Sequence, residues 1–215
     1  MKKTGIFGGS FNPIHNGHIS LARQLREQAG LDEVWLMVSP LNPLKQHADD
    51  LLDDEKRMQM ARLALENEPQ IIASDYEMHL PKPSYTWNTL QALSKDYPDR
   101  EFVLLMGGDN WALFDRWYHA EDILANYHIV VYPRRDCLRS LGAKENTSIG
   151  CSKTPILQNS LDKKFLEKNP PQIIEAELLD ISSTEIRARI KAGKGIRRLV
   201  PKAVADLIQK EGLYA

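Results

Sequence analysis

Apolar positions along the 215-residue chain alternate between two periods. Short β-rich runs at Thr4 to Phe7, Glu33 to Val38, Ile71 to Ser74, Phe102 to Met106 and His128 to Tyr132 read as strands, several of them closed by Gly, Ser or Pro. Between these runs apolar residues return at helical spacing. Ile19, Leu21, Ala22 and Leu25 precede a stop at Gly30; Asp54 to Leu65, Thr86 to Leu93 with Ser84 or Thr86 as N-cap, and Ala120 to Ala125 follow. Strands that alternate with helices predict right-handed βαβ units and therefore a doubly wound parallel α/β sheet.

The pattern weakens from Arg134 to Asn169, where Gly142, Gly150 and Pro155 interrupt every run, and this stretch is expected to be a long surface excursion. Order resumes with a predicted strand from Gln172 to Leu178. Ser182 and Glu185 then form a capping box for a helix that stops near Gly193 or Gly195. A last helix is predicted with Pro201 at its first position and Gly212 just past its end. The whole reads as one domain over 1–215 with a C-terminal helical part at about 182–215.

Charge and cysteine content narrow the partners. Twenty-eight Lys and Arg against 29 Asp and Glu give a net charge of -1, which offers no global pull toward a polynucleotide or an anionic membrane but leaves room for a local anion site. Cys137 and Cys151 are too few for a disulfide framework and lack zinc-ligand spacing, so a reducing cytoplasm is the expected home. Lys2 and Lys3 precede only a short apolar run, broken at once by Gly8 and Gly9, which is neither a signal peptide nor a membrane span. A homo-oligomer is left open.

Ligands of open parallel sheets bind beyond the carboxyl ends of the strands, so the loop after the first strand carries most weight. From Gly5 to His18 it holds no dinucleotide fingerprint, no P-loop and no nucleophile elbow. It does hold glycines that let backbone N–H groups approach an anion. It also holds two histidines, His15 and His18, at the mouth of a helix whose N-terminus carries partial positive charge. That combination suits a polyphosphate. As a metal pair the histidines lack a carboxylate or thiolate at ligand spacing, so no resident metal site is expected. Near the other end of the chain, Ile181-Ser182-Ser183-Thr184-Glu185-Ile186-Arg187 repeats the device: hydroxyls and N–H groups at a helix start, with Arg187 one turn in. Taken singly, each feature is as ordinary as a cap or a surface charge.

Together they resemble a family. Gly5 to His18 matches throughout the G-x-F-G-G-[ST]-F-[DN]-P-x-H-x-G-H signature of bacterial nucleotidylyltransferases, and Ile181 to Arg187 matches their second signature, I-S-S-T-x-I-R. Within that superfamily the chain resembles the nicotinate mononucleotide adenylyltransferases over nearly its whole length. The resemblance runs through Ser39 to Lys45, Asp75 to Glu77, Pro83 to Leu90, and Gly107 to Asn110 with Phe114 and Trp117. It departs at Leu44, where the family commonly has histidine, and at Tyr132-Pro133-Arg134, where the family has R-P-G. The resemblance implies a Rossmann-like nucleotidylyltransferase fold. It also implies adenylyl transfer from ATP, carried with Mg2+, to nicotinate mononucleotide, giving deamido-NAD and pyrophosphate.

Carried over residue by residue, it makes His15, His18, Lys45 and Arg187 catalytic. ATP would lie against Gly8, Gly9, Ser10, Phe11, His15, His18, Gly107, Asp109, Ile181, Ser182, Ser183 and Arg187. The acceptor would lie against Ser10, Phe11, Lys45, Ser84, Tyr85, Thr86, Asp109, Trp117 and Tyr118. A related enzyme acting on nicotinamide mononucleotide or phosphopantetheine is the alternative. A nucleotide-binding module without transfer activity is a rival of another class, against which the intact histidine pair argues.

Overall fold

The computed structural model describes residues 1–40, 51–132, 166 and 169–215. Six strands, β1 (Lys2–Gly9), β2 (Glu33–Val38), β3 (Ile71–Ser74), β4 (Arg100–Gly107), β5 (His128–Tyr132) and β6 (Gln172–Ile173), pair only in parallel, in the order β3-β2-β1-β4-β5-β6. The winding reverses between β1 and β4, which makes the mouth between these strands the place where a ligand crevice opens.

The period-two pattern of each strand divides its side chains between two cores. Phe7, Val34, Leu36, Val38, Val103, Leu105, Val130 and Tyr132 face one side. Ile6, Trp35, Met37, Phe102, Leu104, Met106, Ile129 and Val131 face the other. The first side is covered by α1 (Asn16–Gln28) and α2 (Asp54–Leu65). It is also covered by α6 (Ser183–Lys191) and α7 (Lys202–Glu211), through Ile186, Val204, Ala205 and Ile208. The second is covered by α3 (Thr86–Asp96), the single turn α4 (Gly108–Trp111) and α5 (Ala120–Asn126). No helix among the described residues is long and apolar enough to cross a membrane.

At the amino ends of the strands a closed polar network ties the sheet together. Glu33 is buried, yet Lys2 Nζ donates to it at 2.5 Å, Trp35 Nε1 at 2.9 Å and Thr4 Oγ1 at 3.2 Å, and Arg100 Nη1 pairs with it as well. Burial pushes the carboxyl up, but Lys2, Arg100 and Trp35 together hold it below the usual carboxylate range.

Three expectations are corrected. The strand predicted for Gln172 to Leu178 stops at Ile173, where its pairing with Val130 and Val131 ends. Beyond it, Gln24 of α1 substitutes for a strand, accepting from Glu177 N at 2.8 Å and donating to Glu177 O at 3.0 Å. The N-cap position of α3 is Tyr85, between the two residues expected to cap it. Pro201 occupies the cap of α7 rather than its first turn. Of the excursion from Arg134 to Asn169, only Leu166 and Asn169 are among the described residues.

Candidate active site

The site is built around the loop that leaves β1. Ser39 N, just past β2, donates to Gly9 O at 3.0 Å and brings the ends of two strands together. A Cβ on Gly9 would stand 3.0 Å from the Phe11 ring, so any larger residue would press that ring away from the strand end. Phe11 itself is in the left-handed region at φ 43°, where a bulky residue stays only if its surroundings hold it. Its ring is buried edge-on against Phe7 and His18, at 5.8 and 5.0 Å between centroids.

His15 caps α1, and its ring stacks on His18 at 3.6 Å and 24°. A Cβ on Gly17 would come within 3.0 Å of His15 Cε1 and Nδ1, which explains the glycine between the two histidines. His15 N donates to His18 Nδ1 at 3.2 Å. A backbone N–H cannot accept, so Nδ1 is the acceptor and the His18 ring proton lies on Nε2.

The carbonyl bonds that shape this loop come from two helices, α2 and α6. Arg57 of α2, fully buried, donates through Nη1 to Ser10 O at 2.6 Å and Ser39 O at 2.9 Å, through Nε to Leu52 O at 3.0 Å, and pairs with Asp54 at 2.5 Å. Arg187 Nη1 of α6 donates to Asn12 O at 2.8 Å, and Ser183 Oγ to Pro13 O at 2.9 Å. The two signatures, far apart in sequence, therefore meet at one loop. Ser182 Oγ caps α6 by accepting from Glu185 N at 3.1 Å. The Ser183 proton is committed to Pro13, so it is the backbone N–H groups of the first turn that remain for a phosphate. Arg187 Nε is buried with no acceptor among the described residues. Ile181 borders the start of α1, where a Gly17 Cβ would lie 3.8 Å from its own Cβ. Gly107 ends β4, and Asp109 follows within α4, its Oδ1 buried.

A second cluster gathers the segments expected to hold the acceptor. Tyr85 and Tyr118 lie 4.8 Å apart and Trp87 stacks on His119 at 5.4 Å, which places 84–87 against 117–119. A row of aromatic rings, Trp111, Phe114 and Trp117, leads there from α4 at 5.1 and 5.5 Å. Ser84 Oγ and Trp117 Nε1 are buried and hydrogen-bond to nothing among the described residues. Thr86 opens α3.

Glu77 joins the two clusters. Thr89 Oγ1 donates to it at 2.9 Å and also reaches Tyr85 O at 3.3 Å; Ser39, which holds Gly9, is its other hydroxyl partner. Burial pushes this carboxyl up, and the two hydroxyls offset only part of that.

Lys45, Leu44 and Arg134 lie outside the described residues. Arg57, Glu77, Asn12 and Tyr214 were not among the expected site residues. A signal existed for Arg57, a charged residue in register with the apolar positions Ala61, Ala64 and Leu65 of its helix. None existed for Tyr214, whose hydroxyl reaches Asn12 Oδ1 at 2.7 Å across 202 positions.

A doubly wound sheet that gathers paired histidines, a helix start and a buried arginine at its switch point is an open α/β protein built to take a phosphorylated ligand. The chain belongs to the cytidylyltransferase-like family, whose model matches residues 6–189, and within it to the nicotinate-nucleotide adenylyltransferases. A protein of Bacteroides fragilis (strain YCH46) named "Probable nicotinate-nucleotide adenylyltransferase" is 46% identical, over 94% of this chain and 89% of its own. A Bacteroides thetaiotaomicron protein of the same name is 40% identical, over 97% and 91%. The solved structure of Plasmodium falciparum nicotinic acid mononucleotide adenylyltransferase complexed with NaAD is similar in fold. Its TM-score is 0.70 at 21% identity, with 100% of this chain and 98% of that one covered.

Proposed function

We propose that this chain, as a single domain over 1–215, transfers the adenylyl group of ATP to nicotinate mononucleotide in the cytoplasm, giving deamido-NAD and pyrophosphate. The observation that carries this reading is the convergence of His15, His18, Ser183 and Arg187 on the loop from Ser10 to Pro13. An oxygen of the acceptor's 5'-phosphate attacks the α-phosphorus, the bond to the bridging oxygen breaks, and pyrophosphate leaves. The nucleophile is already ionised at neutral pH, so the protein's task is positioning and charge stabilisation.

His18 Nε2–H donates to the α-phosphate, where negative charge shifts in the transition state. His15 serves the bridging and β,γ oxygens. Arg187, with its open Nε, and the first turn of α6 at Ser182 and Ser183 hold the leaving pyrophosphate. Lys45 belongs to the reacting phosphates. Gly8, Gly9, Ser10 and Phe11 supply the backbone that lines the phosphates, while Gly107, Asp109 and Ile181 border the nucleoside. The nicotinate lies on Trp117 with its carboxylate toward the donors of Ser84 to Thr86 and Trp117 to Tyr118. Mg2+ arrives as part of the ATP complex and is written here as substrate; among the described residues no three His, Cys, Asp or Glu side chains form a metal-binding group.

The test is product identification. Purified protein mixed with MgATP and, separately, nicotinate mononucleotide, nicotinamide mononucleotide or phosphopantetheine should release pyrophosphate fastest with the first and form deamido-NAD. Turnover only with phosphopantetheine, or with none of the three, overturns the reading.

A further inference from the structure

We propose that Tyr214 is a positioning residue of the triphosphate subsite: it fixes the side chain of Asn12, whose carbonyl in turn holds Arg187. The proposal rests on the adenylyl-transfer reading given above and deepens it.

Asn12 Oδ1 accepts from Leu52 N at 3.3 Å and from Tyr214 Oη at 2.7 Å. The Leu52 amide can only donate, so the Asn12 atom facing it is the carbonyl oxygen, and the phenol must donate too. The phenol makes the shorter bond. The carbonyl of the same residue takes Arg187 Nη1 at 2.8 Å. A rotation of the Asn12 peptide would therefore carry the guanidinium with it. Such a rotation is close at hand, because the preceding residue is Phe11 at φ 43°. Tyr214 is itself in the left-handed region at φ 65°, so one O–H···O bond joins two non-glycine segments that their surroundings must hold in place.

The tyrosine arrives by way of α7, which packs on α2 and is tied to it by Lys56 and Glu211 at 2.6 Å. Since α2 also carries Arg57, the phenol stands in the field of both Arg57 and Arg187. Burial raises its ionisation above the ordinary tyrosine value, and the two guanidiniums pull the other way without overcoming burial, so it remains a protonated donor at neutral pH.

Tyr214→Phe removes one oxygen and keeps the ring. The expected result is a protein that melts cooperatively near the wild-type temperature, with KM for ATP raised on the order of 10-fold and KM for nicotinate mononucleotide unchanged. Affinity for α,β-methylene-ATP, read by calorimetry, should fall by the same factor. This second readout needs no turnover, so failure of the adenylyl-transfer reading and failure of the positioning role are distinguishable. In an Arg187→Ala background the tyrosine substitution should add nothing to the loss of ATP affinity, since its route runs through that side chain. Unchanged ATP affinity in Tyr214→Phe, an equal rise in both KM values, or full additivity with Arg187→Ala would each overturn the proposal.

Discussion

Two glutamates, each less than a tenth exposed, are buried at opposite ends of the sheet, and their surroundings treat them in opposite ways. Glu33, at the amino ends of the strands, is met by Lys2, Arg100, Thr4 and Trp35 and is held below its ordinary range against the pull of burial. Glu77, near the carboxyl ends, meets only the hydroxyls of Thr89 and Ser39 among the described residues, and burial raises it. The contrast extends to the neighbours. Around Glu33 the polar atoms are paired within the protein, apart from Arg100 Nε, and the Arg100 guanidinium lies over Trp35 and Tyr97. In the two clusters on either side of Glu77, three buried donors, Ser84 Oγ, Trp117 Nε1 and Arg187 Nε, have no acceptor among the described residues. Buried polar atoms are nearly always paired, because leaving one unpaired costs about 1 to 3 kcal/mol. One end of the sheet is closed on itself, and on the proposed function the other is completed by a ligand.

If that division holds, substitutions at the two ends should separate activity from stability. The largest effect is expected for His18→Ala, which removes the Nε2 donor from the α-phosphate and should lower kcat on the order of 100-fold or more with the melting temperature nearly unchanged. A folded variant with wild-type kcat would remove His18 from the chemistry. Arg187→Ala should raise KM for ATP about 10- to 100-fold, since its charged partner is present before as well as during transfer. Steady-state kinetics at saturating acceptor reads this directly. Arg100→Ala, at the closed end, should cost about 2 kcal/mol of folding stability by denaturant titration and leave kcat and both KM values of the folded protein as they were.

The smallest effect, and the sharpest contrast, is in pH. Glu33 has a depressed folded value, so its contribution is whole above about pH 4.3, where the unfolded carboxyl ionises, and is lost as pH falls through the folded value. Glu77 has a raised one, so its contribution is whole below about pH 4.3 and is lost as pH rises through the folded value. Glu33→Gln should thus be less stable than wild type at pH 7, with the gap closing in acid. Glu77→Gln should gain on wild type as pH rises from 4 to 8. Parallel stability curves for the two variants would contradict the assigned environments.

Local pattern foretold what local chemistry decides. The bounded apolar run in Glu33 to Val38 fixes a strand, the spacing from Ile19 to Leu25 fixes the buried face of α1, and the loop from Gly5 to His18 carries its own geometric demands at Gly9 and Gly17. What escaped the sequence depends on partners distant along the chain. β6 is short, and the backbone of Glu177 beyond it is met by Gln24, 153 positions away. Ser84 does not cap α3, and its hydroxyl lies buried beside the aromatic cluster instead. Arg57, Glu77 and Tyr214 matter through carbonyl and hydroxyl groups 47, 12 and 202 positions away, and no periodicity encodes such pairings.

The claim that the open end is completed by the ligand is tested most directly by comparing the acid and amide mononucleotides as acceptors. Trp117 Nε1 can only donate, and Ser84 Oγ has a proton to donate as well, so the pocket asks for an acceptor. A carboxylate accepts from all of them, whereas an amide must turn its NH2 toward one donor and leave it unpaired. With one preparation of enzyme at saturating MgATP, kcat/KM should favour nicotinate mononucleotide on the order of 100-fold. Equal values, or a preference for the amide, would contradict the account.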